Sequence, residues 1–165
     1  MKNFILNLFL IIFILSSLFI GTIFYFKYIE QPYTHWDSTE NMNLSKTYQY
    51  GWIPTWFPIN AMNIHEQHDI DTNNIWIKFE ITDDNNTKFI QNFNQLNQKE
   101  IKNLNIRPPF LCNWWFEGLI EQQPSNDNAL HAEVYQGNIK SVSNKVFLAK
   151  DKLSTDYYIW ILGNQ

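Results

Sequence analysis

The spacing of apolar and polar positions changes repeatedly along the chain, and each change marks an element. From Asn3 to Phe26 there is no alternation: 24 consecutive residues are uncharged at neutral pH, and most are apolar. At about 1.5 Å rise per residue they make roughly 36 Å of helix, against a bilayer hydrocarbon core of about 30 Å. A transmembrane helix is expected. The competing reading, a cleaved signal peptide, needs a shorter apolar core closed by small residues. Here the run passes Ser16, Ser17 and Gly21 and continues into Ile23-Phe24-Tyr25-Phe26. That favours an uncleaved signal anchor over residues 1–29, with the lipid bilayer around residues 4–26. Tyr25, Tyr28 and Tyr33 stand where amphipathic rings favour the membrane interface.

Residues 30–50 are polar without a sustained period and read as a stalk. A soluble domain is expected over 51–165. Its lead-in, "GWIPTWFPIN", cannot be a continuous helix because Pro54 and Pro58 lack amide donors and restrict the residues before them. Trp52, Trp56 and Phe57 then cap one end of the core. "NNIWIKFEIT" alternates strictly, with Ile75, Ile77, Phe79 and Ile81 on one side, as in a half-buried strand. "MNIHEQHDI" alternates more weakly, and "DTNN" between the two supplies turn residues, so the pair predicts a hairpin. Phe89, Ile90, Phe93 and Leu96 are spaced for one face of a helix that covers the sheet, irregularly continued by Ile101 and Leu104 and capped by Asp84, Asn85 or Asn86. Three strands follow, in "ALHAEVYQ", "NKVFLAKD" and "DYYIWIL". The last is apolar on both faces, which places it centrally or under the helix. The expected fold class is α+β: an N-terminal transmembrane helix, then a small antiparallel sheet of about five strands in the order β-β-α-β-β-β, covered by one helix.

Charge narrows the partners. From Glu30 onward the chain holds ten Lys and Arg against sixteen Asp and Glu, a net of −6. Such a surface repels polyphosphates, so no nucleic acid partner is expected. Cys112 is the single cysteine, which rules out an intramolecular disulfide, and its apolar, aromatic setting "PPFLCNWW" reads as structural.

The densest cluster of chemistry is "HEQHDIDTN", residues 65–73. A zincin helix needs histidines at i and i+4, whereas His65 and His68 are three apart. On a strand that odd spacing points the two imidazoles to opposite faces, so they do not share an ion. His65, His68 and Asp69 remain the metal candidates by residue type, but no metal is expected. Asp71, Thr72 and Asn73 are read as the structural turn, with Asp71 accepting its backbone amides. A candidate contact surface is drawn from Trp76, Trp114, Trp115, Phe116 and Glu117, because large aromatics dominate binding hot spots and stack on sugars. The adjacent tryptophans point differently, so one is buried and the other lies near the surface. No glycine-rich phosphate loop or nucleophile elbow is present, and no cofactor is expected.

"GWIPTWFPINAMNIHEQHDIDTNNIWIKFEI", followed by "PPFLCNWW" and "DYYIWI", resembles a set of small, uncharacterised bacterial membrane-anchored envelope proteins. They share a Trp-Ile-Pro lead-in, an Asp-Thr-Asn hairpin turn and a final aromatic strand. The resemblance implies envelope placement and carries no activity or catalytic residue. The expectation is a single-pass protein of the inner (cytoplasmic) membrane with its C-terminal domain periplasmic. There it acts as a non-enzymatic binding module, immunity-type or accessory, for an envelope protein or glycan. The alternatives are a metal-dependent hydrolase built on His68, Asp69 and Asp71, and a glycan-binding module using exposed tryptophan.

Overall fold

A computed structural model describes residues 2–82, 89–104, 107–115, 132–137 and 145–163. The chain opens with α1 (Lys2–Glu30), and a candidate membrane span covers Leu6–Glu30, 25 residues. Its side chains from Leu6 to Ile29 are exposed to solvent. Length and apolarity suit a membrane anchor, and a signal sequence meets the same criterion. The hydroxyls of Ser16 and Ser17 both donate to the Phe13 carbonyl and that of Thr22 to Leu18, so these groups are satisfied within the helix.

Beyond α1 the described elements are β1 (Tyr33–Ser38), α2 (Thr39–Asn43), α3 (Lys46–Gln49), β2 (Met62–Asp69), β3 (Asn74–Glu80), β4 (Phe93–Gln95), α4 (Gln98–Lys102), β5 (Ala132–Gly137), β6 (Lys145–Asp151) and β7 (Asp156–Leu162). The seven strands form one antiparallel sheet in the order β1-β2-β3-β7-β6-β5-β4. The α+β class and the β2–β3 hairpin are as expected, and β7 lies in the middle of the sheet. Two strands are additional to the five expected.

The first is β1, which replaces the expected stalk. It pairs with β2 along its length, and Trp36 and Met42 are buried in the core. Its sequence, "YTHWDS", offers one large apolar residue facing the core, too little to show as a period; pairing with β2 supplies the stability. The second is β4, where a helix was expected. Phe89, Ile90 and Phe93 pack on one face of the sheet, whereas Leu96, Ile101 and Leu104 pack on the other. The apolar stripe has helical spacing because the chain crosses the β4 edge and serves both faces in turn. Among the described residues, 89–92 form a single 3₁₀ turn before β4, and α4 is the α-helix of this segment, started by a capping box between Asn97 and Glu100. The expected caps Asp84, Asn85 and Asn86 lie outside the described residues.

Both faces of the sheet are buried. The first carries Ile64, Ile77, Phe79, Leu148, Tyr157 and Ile159 and is covered by Met42, Ile53, Phe57 and Ala61. The second carries Trp76, Val134, Phe147, Tyr158 and Trp160 and is covered by Trp115, Leu96, Ile101 and Cys112. A two-sided core is why β7 reads as apolar throughout.

Candidate functional site at the foot of the domain

Polar side chains gather where α1 meets the sheet. Asp69 ends β2, and its Oδ1 accepts the amides of Asp71 at 3.1 Å and Thr72 at 2.9 Å. The Asn73 amide donates to the Asp69 carbonyl at 2.8 Å, and Asn73 takes φ 55°, a left-handed value that asparagine tolerates. The chain turns over residues 70–73, and Asp69 organises the turn. The expected acceptor, Asp71, follows the strand end and is exposed. Gly163 closes the turn from the third side: its amide donates to Asn74 Oδ1 at 2.9 Å, and a Cβ there would collide with the Thr72 carbonyl oxygen.

The same aspartate reaches the helix. Its Oδ2 accepts from Gln31 Nε2 at 2.5 Å, and the Ile70 amide donates to the Glu30 carbonyl at 2.9 Å. Burial pushes the Asp69 carboxyl up, but the Thr72 and Gln31 hydrogen bonds and the nearby Lys27 charge outweigh it and hold the group below its usual value. Gln31 Oε1 accepts the Phe110 amide at 2.8 Å, while buried Gln67 Nε2 donates to the carbonyls of Gln31 at 3.1 Å and Phe110 at 2.9 Å. Gln31, Gln67 and Phe110 thereby form a closed ring of hydrogen bonds. The Trp76 indole N–H donates to the Arg107 carbonyl at 2.9 Å, pinning the start of the same loop. The Phe110 ring lies 5.7 Å from that of Phe24 in α1. Between loop and helix lies a cleft of about 610 Å³, lined by Tyr28, Ile29, Tyr33, Gln67, Leu111 and Trp114 among others.

Beside the cleft, on the second face, four rings cluster. Asn63 stands at a β-bulge with φ 47°, and its Nδ2 donates to Glu80 Oε1 at 2.6 Å. That bond turns Asn63 Oδ1 toward the Nε2 atoms of His35 at 3.0 Å and His65 at 3.1 Å. Each histidine therefore presents Nε2–H, and His65 Nδ1 is left to accept from the Tyr33 hydroxyl at 2.7 Å. Burial, then the His35 and Lys78 charges, lower the His65 pKa, which agrees with this neutral tautomer. Burial raises the Tyr33 pKa. Trp114 stacks on His65 with centroids 5.7 Å apart.

His68 points the other way. Its Nδ1 lies 2.7 Å from Oε1 of Glu66, a fully buried carboxyl whose second oxygen accepts from Thr34 Oγ1 at 3.2 Å. Trp52 stacks on the imidazole at 3.9 Å. Burial raises the Glu66 pKa, and the contacts with His68 and Thr34 counter it. His65 and His68 thus face opposite sides of β2. Among the described residues no three His, Cys, Asp or Glu side chains gather as a ligand set.

Of the expected contact surface, Trp76 and Trp115 are core residues, each 5 % exposed. The reason is the second apolar face, which needs both indoles as filling. Trp114 is half-buried at the cleft, and Phe116 and Glu117 lie outside the described residues. The expected difference between the two adjacent tryptophans holds, their planes meeting at 75°. Gln31 and Gln67 went unmarked in the sequence, because neutral amides carry no pattern and Gln31 stood in the supposed stalk.

No curated protein and no solved structure matches the chain. A family model does match over residues 30–80, under a third of the chain, and is consistent with a small envelope-associated protein family. It runs from the last residue of α1 to the last residue of β3 and takes in β1 and the clamped turn. Over this part, the chain is similar to the YbbD head domain.

Proposed function

We propose that the chain is a membrane-anchored envelope protein whose extracytoplasmic head binds a protein or envelope component without catalysing a reaction. The observation that carries this reading is the union of α1 with the sheet. A segment destined for removal has no need of hydrogen bonds into the fold, yet Glu30 and Gln31 are tied to Ile70, Asp69, Gln67 and Phe110, and Phe24 touches Phe110. Similarity to the YbbD head domain supports envelope placement. The surface offered to a partner is the ring cluster of Tyr33, His35, His65 and Trp114, aromatic and only partly covered. An immunity-type or accessory role suits a small domain held at fixed height. The hydrolase alternative lacks its constellation: His68 lies with Glu66 on one face, and both Asp69 oxygens are engaged by the turn and Gln31.

Carbonate washing of membranes from expressing cells tests the anchor: intact mass should show the full chain in the pellet. A soluble product lacking α1 would overturn it. A photo-crosslinking side chain at exposed His35 should give a discrete adduct absent from the same probe at Leu153, at the opposite end of the sheet. Identical patterns at both positions would sink the binding surface. An adduct with a glycan strand instead of a protein would favour sugar stacking on Trp114.

A further inference from the structure

We infer that the Phe110–Leu111 turn is a second membrane contact, a foot that enters the leaflet facing the domain, with phospholipid of that leaflet filling the cleft between turn and helix. The inference deepens the reading above and rests on α1 staying in the bilayer. Its first support is depth. Phe110 packs against Phe24, and Phe24 lies three residues, about 4.5 Å, further into the apolar run than Lys27, the first charge after it. If α1 spans, Phe110 is therefore level with the outermost turn of its apolar stretch. The loop cannot drift away from that depth, since the Phe110 amide and carbonyl are both held by Gln31 and Gln67.

The second support is Leu111 itself. It adopts φ 52°, which leucine rarely does, and leaves its side chain 73 % exposed. Among the described residues no packing accounts for a large apolar side chain held outward on a disfavoured backbone; lipid does. The third is the chemistry of the walls. Tyr28, Tyr33 and Trp114 pair an apolar body with one polar tip, the combination favoured at the headgroup boundary. Leu111 and Ile29 supply the greasy part of the same cleft.

The test is nitroxide labelling of the full chain in phosphatidylcholine vesicles, in a Cys112→Ser background, with Cys112→Ala in reserve should the serine perturb folding. Labels go on Leu111→Cys, on Phe19→Cys as the span reporter, and on Leu153→Cys as the far-end control. All three native side chains are exposed, at 73 %, 68 % and 75 %. The collision ratio of oxygen to a nickel chelate should be several-fold higher at position 111 than at 153, approaching that at 19. A ratio at 111 equal to that at 153, with 19 still reading lipid, would overturn the foot and leave the anchor standing. An aqueous reading at 19 as well would remove both.

Discussion

Replacing Asp69 by alanine, beside the same change at Asp71, separates the structure from the more obvious reading of the turn. Asp69 is 5 % exposed and its carboxylate accepts three hydrogen bonds, two from turn amides and one from Gln31. Bonds to a charged acceptor contribute about 1.5–3 kcal/mol each, though not additively, and amides at a turn are readily taken over by water. The expected cost is about 3 kcal/mol. For a chain of this size that lowers the melting temperature by roughly 10 °C. Asp71 is exposed, and its removal should stay within about 0.5 kcal/mol. The assay is thermal melting of the full chain in detergent, followed by near-ultraviolet circular dichroism of its tryptophans. A pH series adds a second arm. The folded protein holds the Asp69 pKa below its usual value, so the native state binds fewer protons than the unfolded one near that value. Its stabilisation is complete above pH ~4, the unfolded value, and is lost as pH falls through the folded one. The gap between wild type and Asp69→Asn should therefore narrow on acidification. Equal melting temperatures for the Asp69 and Asp71 variants, or a gap independent of pH, would refute the assignment.

Gly163→Ala should lower stability by about 1–3 kcal/mol, because the new methyl meets the Thr72 carbonyl oxygen and not a movable side chain. Gly21→Ala, with open space around it, should be silent, and urea titration of both decides. Trp115→Ala should cost about 3–5 kcal/mol and Trp114→Ala less than half of that, since only the first is sealed in the core; equal costs in chemical denaturation would contradict the two-faced packing. His65 titrates below the usual histidine value, so its unfolded form takes up a proton first. Its contribution is present above pH ~6.5 and declines as pH falls through the folded value. Melts of wild type and His65→Gln between pH 5 and 8 should therefore converge toward the acid end.

The elements legible in the sequence are those whose own side chains impose a period. Ile75 to Ile81 alternate without a break, and Tyr157 to Leu162 fill both faces, so the hairpin and the middle strand could be read directly. β1 could not, because its pairing with β2 is a property of two segments and it carries only Trp36 as a core anchor. Phe93 and Leu96 misled for a different reason: helical spacing also arises when a chain steps over a sheet edge. The site follows the same logic. His65 and His68 could be assigned to opposite faces from strand parity alone. That Asp69 and not Asp71 organises the turn depends on where β2 stops, and three closely spaced polar residues do not fix that point. Gln31 and Gln67 meet across 36 positions of chain through a bond no local pattern encodes.

Between the last residue of α1 and the first of β1 stand only Gln31 and Pro32, and Gln31 is bonded on three sides. The molecule accordingly has no swivel. In a bilayer, rod and head would lean as one lever, and helix lean responds to hydrocarbon thickness. With a sheet about 25 Å tall, a lean of about 10° would carry its far edge sideways by about 4 Å. Membrane thickness would then set where the head points.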